Sequence, residues 1–267
     1  MSAFGSFSDN MPELEPRDYL FSLKLDFDVD SQLIAIGGAL QRNRKADEAQ
    51  ANEIKAIEEH ARHLKGLRGE WAVDSWVDEL HHSTYQSAAH SMSAVGMIAP
   101  LTETIFYQCF RGMGTQFFPD SQSDPNHGRW SGPRALWWDC HSVLGDKKPE
   151  KDIARGIVQL AEAVGLLPKL PADLQQTLAA LFGYRNSMFH NGLEWPLEER
   201  QKFAKRLADE QWPADWFFPA TSGHEPWIFY MTDPFIDHCL KTINITLDTI
   251  GLFVRDVLIP LRDGRRQ

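Results

Sequence analysis

Cysteine is scarce in this 267-residue chain: Cys109, Cys140 and Cys239 stand far apart. Three scattered residues cannot build a disulfide framework or a cysteine-rich zinc site. Positive charge is also short, with 27 Lys plus Arg against 37 Asp plus Glu and a formal charge of −10. Broad coating of nucleic acid relies on many basic phosphate contacts, so that class is disfavoured; one local basic pocket stays compatible. No uninterrupted apolar run reaches about 18 residues, so no membrane span is expected. Met1 to Pro12 holds no basic region followed by an apolar stretch, so no secretory signal is expected there, and a cytoplasmic location follows as the expectation.

Phosphate-cradling loops are missing too. Neither G-x-G-x-x-G nor a Gly-Lys-Ser/Thr element occurs, and no Ser or Cys sits in a nucleophile signature. This disfavours nucleotide triphosphate hydrolysis, dinucleotide redox chemistry and serine hydrolysis. His81, His82 and His90 accompany Asp78, Glu79 and Glu103, and His60 and His63 precede them. Yet no His-Glu-x-x-His run and no paired Glu-x-x-His segments appear, so no metal and no other cofactor is expected. These histidines read as core or surface residues, with Tyr85, His90 and Glu103 as looser candidates for a cleft.

What is present is ordinary globular composition, 43% hydrophobic and 24% charged. The reading is one all-α domain over residues 1–267, a helical bundle with a minor β-hairpin and an N-terminal arm. The arm spans residues 1–30, where Tyr19 to Phe27 alternates like a short strand or extended segment. Residues 31–118 hold long helices: one from Ser31 to Lys65, then a core hairpin of two helices over Glu70 to Phe118, where Pro100 opens a new helix or kinks the old one. Trp71, Val73, Trp76, Val77 and Leu80 recur at helical spacing there and read as core. Residues 119–148 are a loop region and 149–192 carry two amphipathic helices. Residues 193–267 carry a further helix from Pro196 to Glu210, a hairpin of Trp216–Phe218 with Trp227–Met231, and a last helix from Asp233 to Ile259. The tryptophans at 130, 137, 138, 212, 216 and 227 read as core or interface anchors. Lys202 to Arg206 and Arg262 to Arg266 read as solvated patches.

The segment Tyr184-Arg185-Asn186-Ser187-Met188-Phe189-His190-Asn191-Gly192 stands apart. It closes a helix that Asn191-Gly192 would stop. Leu174, Leu178, Leu181, Arg185 and Met188 share one stripe, so Arg185 occupies an apolar position. A guanidinium there must be paired or must face a pocket. Asn186 and His190, four apart, share a face and can hydrogen-bond. Arg185 and His190 stand about 140° apart around an ideal helix. They converge through the length of Arg, or through a second copy in a symmetric dimer.

An Arg with a polar follower, a His a few residues on and a helix end resembles the HEPN superfamily of helical proteins. The resemblance rests on about nine residues and their helical context. Spacing alone is not selective: chance supplies about two such Arg–His pairs, and Arg134 with His141 is a second one, lacking the polar follower. The resemblance implies a homodimer whose cleft holds RNA or a nucleotide, acting as a metal-independent endoribonuclease, toxin-like or defensive in use by analogy. It implies His190 as general acid/base, Arg185 as stabiliser of phosphate charge and Asn186 as their helper. The alternative is a non-catalytic helical module that binds a protein partner or a nucleotide in the same cleft.

Overall fold

The computed structural model describes residues 14–119, 122–223 and 225–265, so Met1 to Pro12 and Arg266 lie outside the described residues. In chain order the helices are α1 (Val29–His63), α2 (Leu67–Phe117), α3 (Ile153–Ala163), α4 (Leu174–Asn191), α5 (Leu197–Asp209), α6 (Asp233–Phe253) and α7 (Ile259–Gly264). Strands β1 (Ser142–Val143) and β2 (Glu150–Lys151) pair antiparallel, as do β3 (Phe217–Ser222) and β4 (Glu225–Met231). The chain is thus mostly helical, with two small hairpins.

The arm departs from its expectation. Pro16–Leu23 is a 3-10 helix, and Lys24 ends it in the left-handed region at φ 54°. Proline presets φ at its start, but tertiary packing decides its place. Leu20 and Leu23 are buried. A Cβ at Gly112 of α2 would stand 2.5 Å from the Leu23 carbonyl oxygen, and one at Gly251 of α6 would collide with the Pro16 carbonyl. Those two glycines let the arm lie flat on the bundle. Arg17 then ties it down through Asp30 (2.7 Å) and Asp248 (3.0 Å).

Asp28 caps α1 by accepting from the Ser31 backbone N–H at 2.9 Å. Gly66, at φ 65°, turns the chain into α2. The hairpin of long helices is therefore α1 with α2, not two halves of residues 70–118. α2 runs 51 residues straight through Pro100. Pro100 itself is exposed, while Ile98, Ala99, Leu101 and Thr102 are buried. Burial on that scale outweighs the roughly 3 kcal/mol a mid-helix proline costs. Nor is the first part of α2 core: Trp71 is 77% exposed, and Val73, Val77 and Leu80 are exposed as well. There α2 has α1 beside it and leaves these side chains outside. His90 and Asp47 bridge the two helices at 2.6 Å.

The second half of α2 is the axis of the core. Ile98, Ile105, Phe106, Cys109, Phe110 and Met113 are buried together with Leu178, Leu181, Ile243, Leu247 and Ile250. Tyr184 of α4 is fully buried and its hydroxyl donates to the Phe229 carbonyl at 2.9 Å. It joins Trp195, Phe203 and Phe217 in an aromatic cluster under β3 and β4. The last helix expected to Ile259 ends sooner. A π-helical turn, Val254–Leu258, precedes α7, where Pro260 lacks the donor a regular helix would use.

Candidate functional site

The motif sits where α4 ends. Leu174, Leu178, Leu181 and Met188 are buried along one stripe, and Arg185 falls on it half-buried. Gly192, at φ 75°, stops the helix, its N–H donating to the Met188 carbonyl. Arg185 does not enter the core. It lines a cavity of about 660 Å³ together with Asn186, Glu103, His141 and the start of α3. Its Nη1 donates to Asn186 Oδ1 at 3.2 Å. Among the described residues no carboxylate pairs with Arg185, so its charge faces the cavity unneutralised.

His190 is not brought there. It is exposed at the helix end and does not line the cavity. Nor, among the described residues, does Asn186 hydrogen-bond to it: the expected Asn186–His190 bond is unformed, and the amide oxygen accepts from Arg185, one residue away. The adjacent Phe189 is also exposed and touches the position a Cβ of Gly96 would fill.

The histidine that does line the cavity is His141, from the Arg134–His141 pair whose spacing alone carried no weight. Its Nδ1 bonds Asp139 Oδ1 at 2.5 Å and its Nε2 bonds Glu103 Oε1 at 2.9 Å. The ring also packs on Tyr107, one turn beyond Glu103 on α2, at 5.3 Å between centroids. An ionised carboxylate only accepts, so an imidazole bonded to one on each side is a double donor. Partial burial opposes its charging, but the bonds to Asp139 and Glu103 outweigh that and hold its pKa above the ordinary value.

A buried arginine sets this histidine in place. Arg129 is 0% exposed. Its five N–H groups meet the carbonyls of Trp137, Ser142, Leu136 and Asp139 and the amide oxygen of Gln159. Burial pushes its pKa down to about 10, which leaves it charged at neutral pH. Gly156 of α3 lets the Cys140 carbonyl come close enough to exclude any Cβ. The segment expected as plain loop is therefore a folded collar, closed by β1 and β2, that carries His141 to the cavity with Asp139 bonded to its ring.

Basic groups gather on the other walls. Lys151, Arg155 and Arg206 line the cavity with Arg185. Arg206 is no solvated patch: it lies 4.9 Å over the Trp212 ring, donates to the Ala179 carbonyl at 3.3 Å and occupies the space left by the missing side chain of Gly183. Lys202 does face solvent, paired with Glu198 and Glu199.

Of the looser candidates, Glu103 joins the cavity, but Tyr85 and His90 do not. Tyr85 donates to Glu194 at 2.7 Å, as Trp227 does at 2.8 Å, which holds the Glu194 carboxyl below its ordinary pKa. His90 is spent on Asp47. His81 stacks on Trp227. Trp130, Trp212 and Trp216 are buried. Among the described residues no group of three or more His, Cys, Asp or Glu is arranged to hold a metal ion. None of the described helices is long and apolar enough to cross a membrane. Asp139 and Lys151 carried no signal in the sequence; only the folded collar makes them part of the site.

Compared with protein-family models, curated proteins and solved structures, the chain gives no match to any of them.

Proposed function

We propose that this protein is a HEPN-like, metal-independent endoribonuclease that works as a homodimer. One observation carries the reading: Arg185, without an ion pair among the described residues, faces a cavity of about 660 Å³ beside Asn186 at the end of α4. A guanidinium held in a cleft with further basic groups suits a phosphodiester, which it can grip by two oxygens at once. Arg155 and Arg206 are ion-paired, with Glu150 and Glu210, so among the described residues Arg185 and Lys151 are the lining cations left for a phosphate.

In this reading the ribose 2′-hydroxyl attacks the adjacent phosphorus, Arg185 offsets the charge that develops on the phosphate oxygens, and the 5′-oxygen leaves. The products are a 2′,3′-cyclic phosphate and a 5′-hydroxyl. In this reading His190, exposed at the helix end, protonates the leaving oxygen of an RNA strand shared between two copies. The position of His190 outside its own cavity is also what favours the second reading, a non-catalytic module that binds a nucleotide or RNA through Arg185.

The test is cleavage of labelled single-stranded RNA by the purified chain in EDTA. Arg185→Ala and His190→Ala are each expected to lower the rate at least about 100-fold. Absence of cleavage by folded wild type across several RNAs would overturn the nuclease reading in favour of the binding module. Cleavage unchanged in both variants would place the activity elsewhere.

A further inference from the structure

We infer that Glu103 is the base of this cleft, taking the proton from the ribose 2′-hydroxyl, while His141 and Asp139 position its carboxylate. The inference rests on the endoribonuclease reading above and divides its chemistry between two groups: Glu103 removes the proton and His190 supplies one.

Three carboxylates line the cavity: Glu103, Asp152 and Glu210. Asp152 is committed to capping α3, accepting from the Arg155 backbone N–H at 3.0 Å. Glu210 pairs with Arg206 at 3.7 Å. Glu103 alone meets no arginine. Its Oε1 accepts from His141, and among the described residues its second oxygen has no hydrogen-bond partner, which leaves it an open acceptor in the cavity. His141 cannot be the base, because both its nitrogens already donate to carboxylates. What it does is fix the carboxylate: the ring is braced by Asp139 behind and packed against Tyr107, so Glu103 cannot swing freely. A base on a rigid helix, oriented by a third group, is the arrangement proton transfer needs. The other charged groups around the cavity are Lys151 from β2, Asp152 and Arg155 at the start of α3, Arg185 from α4, and Arg206 and Glu210 at the end of α5.

The step balances without metal or redox partner. Glu103 accepts the 2′-hydroxyl proton as the 2′-oxygen bonds to phosphorus. The bond from phosphorus to the 5′-oxygen breaks, and that oxygen takes a proton from the His190 imidazolium. Exchange with water returns Glu103 to the carboxylate and His190 to the imidazolium.

The experiment uses the full chain with labelled single-stranded RNA in EDTA, and a 2′-deoxy version of the same strand, which cannot be cleaved this way, as the binding probe. Glu103→Gln is expected to cut the cleavage rate about 100-fold or more while leaving affinity for the probe within threefold. His141→Gln is expected to lower kcat about tenfold while KM stays within threefold, because Glu103 loses the donor that orients it. A merely structural role would raise KM and lower the melting temperature as well. Should Glu103→Gln lose its cooperative melting, Glu103→Asp keeps the charge, shortens the reach and is expected to slow cleavage at least about tenfold. Wild type and Glu103 variants cleaving alike, with Arg185→Ala inactive, would overturn this inference and leave the ribonuclease reading standing. Wild type that cleaves no RNA would overturn both.

Discussion

Arg129→Lys is expected to destabilise the protein by about 2–6 kcal/mol, and the figure follows from counting donors. The guanidinium satisfies five acceptors, four backbone carbonyls and the Gln159 amide oxygen, at 2.7 to 3.3 Å, with the side chain 0% exposed. A lysine ammonium carries three donors on a tetrahedral centre, so at least two acceptors are left bare, and each costs about 1–3 kcal/mol when buried. Lysine is the informative replacement because it keeps the charge; an apolar residue would also remove the cost of burying that charge and blur the result. At about 2–4 °C per kcal/mol for a chain of this size, the melting temperature should fall by about 4–8 °C or more. Circular dichroism melts and urea titrations would measure it. The collar holding Asp139 and His141 should loosen first, so rapid proteolysis within residues 122–152 is expected before global unfolding. A loss under about 1 kcal/mol would refute the claim that Arg129 organises this segment.

Three further outcomes follow from the same structure. Gly156→Ala is expected to cost about 1–3 kcal/mol in urea denaturation, because the added methyl group meets the Cys140 backbone carbonyl, which cannot rotate away; wild-type stability would refute the close seating of α3 on the collar. The raised pKa of His141 means the folded state favours its protonated form. The stability it contributes is therefore full below the ordinary value of 6.5 and is lost as pH rises through the folded value, so the gap between wild type and His141→Gln should shrink from pH 6 to pH 9. A gap that widens over that range would contradict the assignment of both ring nitrogens as donors. Finally, burial pushes the thiols of Cys109 and Cys140 up to about 12 and raises that of Cys239 as well. A disulfide reagent at pH 8 should label the native chain slowly and all three cysteines once denatured; immediate native labelling would show that one of these sites opens.

Local chemistry determined much of this protein. Helical periodicity, caps and proline spacing marked α1, α3, α4, α5 and the β3–β4 hairpin to within a few residues. The apolar stripe of α4 marked Arg185 as a charge that needed a partner or a pocket, since burying it bare is costly. Such signals are readable because they depend on residues within one or two turns of each other. Tertiary structure decided the rest. Whether Pro100 broke a helix depended on the core packed around Ile98 and Leu101, and whether Pro16–Leu23 was a strand depended on two glycines, Gly112 and Gly251, that lie far along the chain. The exposure of Trp71 and Val77 depended on how α1 packs beside the first part of α2, on a face that leaves these side chains outside. The same holds at the cavity. Glu103, the Asp139–His141 pair and Arg206 come from three separate segments, and no spacing rule links those segments. They meet because Arg129 folds residues 129–142 into a collar and Gly183 leaves room for Arg206, contacts that exist only once the chain has closed on itself.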